Sequence, residues 1–101
     1  MKIIQEIEDH LHEELKSAKH YIKCALKYKE ENPKLGDLYY QLSQDSMTSV
    51  EKLHNMVVKI IEEYRNDHGE PPAEMLAVYN YLHAKEIDKA KTVKNLQGMY
   101  K

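Results

Sequence analysis

The stretch YYQLSQDSMTSVEKLHNMVVKII, Tyr39–Ile61, contains neither glycine nor proline. Its apolar residues recur at three and four, the spacing of a helix with one buried side. At roughly 100° per residue, Leu35, Leu38, Leu42, Ser46, Ser49, Leu53, Met56, Val57, Ile60 and Tyr64 fall on one stripe. Met47, Val50, Val58 and Ile61 form a second apolar stripe beside it. A helix that is apolar over so wide an arc is covered on two sides. Outward from this stretch, the helix extends from about residue 34 to about residue 67. Asn32-Pro33 marks its start, with Asn32 as cap and Pro33 suited to the first turn. Gly36 weakens that turn. HGEPP, His68–Pro72, ends it, with Gly69 as a left-handed cap.

Two further helices flank it. The first spans about residues 2–31, with Ile4, Ile7, Leu11, Leu15, Ala18, Ile22 and Ala25 inward. The third spans about residues 72–97 and is closed by Gly98. Its stripe holds Met75, Leu76, Tyr79, Leu82, His83, Glu86, Ile87, Ala90 and Val93. The expected fold is all-α: an up-down three-helix bundle in one domain, residues 1–101. Two long antiparallel helices, each on the order of 45 Å, pair with a shorter third.

Bulk properties exclude several classes. Fifteen basic and seventeen acidic residues are interleaved, for a net charge of −2, so no basic surface for nucleic acid is expected. No apolar run approaches a membrane span, and the charged N-terminus MKIIQEIEDHLHEEL lacks a signal-peptide core. A single cysteine, Cys24, fits a reducing compartment, so a cytoplasmic protein is expected. It lies off the core stripe with no His read beside it, so it is not expected to be a nucleophile. There is no phosphate-binding glycine loop and no G-x-S-x-G elbow. Eight tyrosines, with no Phe and no Trp, must supply all large aromatic packing.

Three sets of residues carry candidate chemistry. Glu51-x-x-His54 has the spacing with which one helix of a carboxylate-bridged metal site supplies two ligands. Glu51 points nearly opposite the main stripe, and His54 lies a quarter turn from it. Within the second apolar zone, however, the pair would sit at a subunit contact. Glu86 lies at the centre of the third helix's apolar stripe, with His83 one turn earlier. Glu14 flanks the core side of the first helix. An ionisable group on an apolar stripe needs a partner, a shifted pKa or water. Glu14, His83 and Glu86 are therefore the groups expected to meet inside, around Zn, Fe or Mn or in a hydrogen-bonded cluster. His10 and His12 do not share a helix face and are expected at the surface.

EELKSAKHYIKCA (Glu13–Ala25) and Tyr39–Ile61 together resemble the ferritin-like superfamily, in particular the first helical pair of rubrerythrin-type proteins. Glu14, Tyr21 and Ala25 match its first-helix pattern. The resemblance covers roughly two-thirds of the chain. It implies iron bound by carboxylate and histidine, and in an active version Fe(II) oxidised by O₂ at a Glu-bridged metal pair. It also implies ligands near positions 46 and 49, which are serines here. The E-x-x-H actually present lies five residues further on, a rotation of roughly 140°. Either the register differs or Ser46-x-x-Ser49 replaces the site. Half-sized ferritin-like proteins complete four helices by pairing two chains, and the second apolar stripe independently asks for a homo-oligomer. The other reading is a helical self-assembly or adaptor module without metal or catalysis.

Overall fold

The computed structural model describes residues 2–101. It is all-helical, with three helices: α1, Lys2–Tyr28; α2, Pro33–His68; and α3, Ala73–Tyr100. No strand occurs among the described residues. None of the helices is long and apolar enough to cross a membrane.

Local chemistry sets the boundaries. Asn32 Oδ1 accepts from the Leu35 N–H at 3.2 Å, and Pro33 opens α2. α1 stops at Tyr28, three residues short of the expected end, where the Asn32 N–H closes on the Tyr28 carbonyl at 2.9 Å. Gly69 adopts φ 80°, and its N–H bonds the Arg65 carbonyl at 3.0 Å. That conformation strains any residue with a Cβ. α3 does not close at Gly98 but continues through it to Tyr100. The physical reason is an anchor beyond the glycine. Tyr100 stacks on Tyr40 with ring centroids 4.7 Å apart and donates a hydrogen bond to Asp37.

α1 is the central element. It packs closely along α2 and also against α3, while the backbones of α2 and α3 stand further apart and meet through side chains. The register between α1 and α2 runs in opposite directions: Leu11 and Leu15 pack with Val50, Ala18 meets Ser43, and Ala25 meets Gly36. The molecule measures 55 × 18 × 18 Å with a radius of gyration of 16.3 Å. A compact domain of this length would have about 13 Å.

Leu11, Leu15, Ala18, Ile22 and Ala25 are buried on α1 as the spacing predicts. The inward face of α2 is rotated from the expected one. Its buried residues are Gly36, Ser43, Ser46, Val50, Val57 and Ile61, whereas Leu38 and Met56 are about half exposed. Small residues cause the rotation. Ala18 and Ala25 face Ser43 and Gly36, so the two backbones approach until the Ser43 hydroxyl donates to the Ala18 carbonyl at 2.7 Å. Two members of the supposed second stripe, Val50 and Ile61, are therefore core residues. Met47 packs against that core, and Val58 remains exposed.

Candidate metal centre

Glu8 continues the buried stripe of α1 one turn before Leu11, and His12 follows Glu8 by four residues, on the same face. Glu86 arrives from α3 and is 5% exposed; Glu8 is 4% exposed. Glu8, His12 and Glu86 each offer one donor atom, and the three atoms lie within 4.8 Å of one another. His83, one turn before Glu86, brings Nδ1 to 3.8 Å from its carboxylate. His12 Nε2 lies 3.7 Å from the other Glu86 oxygen. Both distances are too long for hydrogen bonds.

The polar groups here are left without protein partners. Both oxygens of Glu8, Oε1 of Glu86 and Nδ1 of His83 are buried and make no hydrogen bond. Such groups are rare in folded proteins, because each carries an uncompensated desolvation cost of about 1–3 kcal/mol. Burial, with a smaller push from Asp9, raises the Glu8 pKa above its usual 4.5. Burial lowers that of His12; Lys89 and Lys85 act the same way and Asp9 opposes. Neutral His12 keeps a lone pair to donate.

An aromatic stack supports the cluster. His54 of α2 lies on His83 with centroids 4.8 Å apart and planes at 12°, and Tyr79 lies on His83 at 5.7 Å. Burial and the charge of His83 lower the pKa of His54. Burial, then Glu8, raises that of Tyr79.

The expected residues are thus divided. His83 and Glu86 meet, and His54 joins them by stacking. Glu51 is exposed and stands only on the rim of the α2–α3 groove that His54, His83 and Glu86 also line. Glu14 is half-buried and is not among the converging side chains. It sits two residues past His12, about 200° around the helix. The α1 contribution comes instead from Glu8 and from His12, which is not a surface histidine. The signal for Glu8 was its spacing: positions 8, 11, 15, 18, 22 and 25 alternate threes and fours. Cys24 is also less isolated than expected, with Sγ 3.8 Å from His20 Nε2.

Two carboxylates and an imidazole suit zinc, iron(II) or manganese. The residues fit such an ion by donor chemistry and by their missing partners. Zinc bonds of about 2.0–2.2 Å would require side-chain rotations that draw the three donors closer. The chain therefore falls into a broad class, three-helix proteins with a carboxylate–histidine cluster between helices. No family model matches the chain, and neither a curated protein nor a solved structure matches it.

Proposed function

We propose that this chain is a ferritin-like helical protein that binds one divalent transition cation between α1 and α3. Glu8, His12 and Glu86 would hold it, and His83 is the next donor within reach. The observation that carries the reading is Glu8: a carboxylate in the core, both oxygens unpartnered, beside two other donors. Three protein ligands leave a position open, the pattern of a reactive rather than a closed structural site. A bound metal would supply Lewis acidity, and iron would add one-electron chemistry with O₂. The stack of Tyr79, His83 and His54 would fix the orientation of the neighbouring imidazole. This site differs from the one the family resemblance implies. Glu8 precedes Glu14 by about 9 Å of helix, and neither Ser46 nor Ser49 belongs to the cluster.

Assembly is a second reading, favoured by the molecule's surface. The chain exposes 6990 Å², whereas a compact protein of its mass exposes about 6,000 Å². The excess is comparable with the roughly 800 Å² that each partner buries in an ordinary interface. A second copy lying along the open α2–α3 groove would cover it, without the metal being required.

The test is metal content measured together with mass. Untagged protein is stripped with chelator and titrated anaerobically with Fe(II), and separately with Co(II) and Zn(II). One ion per chain is expected, with a cobalt visible band and a change on admitting air to the iron form. Glu8→Gln and Glu86→Gln should each weaken binding by more than about tenfold. Equal loading of both variants and the wild type would remove the cluster from the reading. A sedimentation mass equal to one chain would remove the assembly.

A further inference from the structure

A groove of about 580 Å³ opens between α1 and α3 at the end where α2 turns into α3. That volume lies within the range of small-molecule sites, about 300–1,000 Å³. Its walls are mainly apolar: Ile4 from α1, Ile61 from α2, and Leu76, Tyr79 and Leu82 from α3. One wall carries Glu8, whose two oxygens are buried and without partner. Two more carboxylates, Asp9 and Glu74, also line the groove, and both are exposed. No Lys or Arg lines it.

We propose that this groove binds a primary alkylammonium, with its nitrogen against Glu8 and its hydrocarbon chain along the apolar wall. Three features select that chemistry. The acids at the groove attract a cation and repel a fatty acid. An ammonium carries three donors and no acceptor, which matches a carboxylate whose two buried oxygens both lack a partner and which reaches the groove by a turn of the Glu8 side chain. A charge-assisted bond to a buried carboxylate is shorter and roughly twice as strong as a neutral one. The remaining length of the groove rewards a hydrocarbon tail by about fourfold in affinity for each buried CH₂. A fully hydrated inorganic cation would gain nothing from that wall.

This inference does not require the metal, although both ligands would use Glu8 and would compete for it. The experiment is therefore run on chelator-treated protein of the full chain. Octylammonium, octanol and octanoate are titrated while the methyl signals of Ile4 and Ile61 are followed by NMR. Octylammonium is expected to bind at least tenfold more tightly than octanol, with octanoate weakest. Glu8→Gln, with its helical circular dichroism checked, should reduce octylammonium to the affinity of octanol. Glu30→Gln should leave it within about twofold, because Glu30 is exposed at the other end of the molecule and does not line the groove. Octanol or octanoate binding as tightly as octylammonium would overturn the proposal, as would unchanged binding in Glu8→Gln. Zinc added afterwards should displace the amine if the metal site is real. Failure of zinc to bind would remove the metal reading and leave the amine result standing.

Discussion

The two ends of the molecule treat buried polar groups in opposite ways. At the end that holds the α1–α2 turn and the C-terminus, Ser43 is fully buried. It donates to the Ala18 carbonyl and accepts from Gln97 Nε2 at 3.0 Å. Tyr100 gives its hydroxyl to Asp37 and its ring to Tyr40. At the other end Glu8 and Glu86 are buried with unpaired oxygens, and the half-buried His83 has an unpaired Nδ1. A satisfied polar group fixes a register. An unsatisfied one costs stability unless a water or a ligand supplies the missing partner. The closed end accordingly maintains the fold, and the open end holds the candidate chemistry.

The largest test attacks the closed end. Ile22 is fully buried and clusters with Ala25 and Tyr100. Ile22→Ala should cost about 2–5 kcal/mol. Thermal melts should then fall by roughly 4–8 °C per kcal/mol. A melt unchanged within two degrees or so would mean that this end is loosely packed and the contrast is false.

The matching change at the open end should act the other way. Glu86→Leu replaces a nearly buried carboxylate with a hydrocarbon. Replacing buried ionic groups is often neutral or stabilising, by about 1–4 kcal/mol. The variant should melt at or above the metal-free wild type and should fail to take up metal. A strongly destabilised variant would show that the cluster is structural after all, held by contacts to His12 and His83.

How far this division could be read in the sequence depends on what each position displays. The α1 face was legible because Leu11, Leu15, Ala18, Ile22 and Ala25 are apolar at helical spacing. Glu8 holds the next place in the same series, but hydropathy passes over a carboxylate. Half of the α2 core is Gly36, Ser43 and Ser46. Their inward position depends on close approach to α1 and on a backbone carbonyl 25 residues away. No local pattern encodes that contact. His83 and Glu86 were found because α3 supplies an apolar frame around them. Their α1 partners depend on how the helices rotate against each other, which a single helix does not specify.

Gly36 and Gly98 sharpen the comparison at the level of one methyl group. Both lie inside helices, where alanine is intrinsically better by about 1 kcal/mol. A Cβ at Gly36 would meet the Tyr100 hydroxyl at 3.0 Å and the Lys29 backbone at 3.2 Å, whereas one at Gly98 meets nothing within 4 Å. Overpacking costs about 1–3 kcal/mol. Gly36→Ala should therefore be destabilising by up to about 2 kcal/mol after the propensity gain. Gly98→Ala should stabilise the protein by up to about 1 kcal/mol, read as a higher melt. Equal shifts for the two would show that the close approach at Gly36 relaxes freely.

The smallest expected effect is a pH dependence that divides along the same line. At the open end the lowered pKa values of His54 and His12 mean that the unfolded chain takes up protons first. Their stability is present above about pH 6.5 and is lost as pH falls through the lowered folded values. Glu8 acts oppositely. Its raised pKa gives stability present below about pH 4.5 and lost as pH rises through its folded value. At the closed end the bond to Asp37, followed by burial, pushes Tyr100 up to about 12 from 10.0. That stability is present below about pH 10 and disappears as pH rises toward about 12. Melts of chelator-treated protein should therefore respond separately to two variants. His54→Phe, which keeps a ring on His83, should flatten the profile only below about pH 6.5. Tyr100→Phe should flatten it only above about pH 10. If either variant altered the opposite limb, the two ends would be coupled through the long α2, and the division of labour would have to be replaced by one cooperative unit.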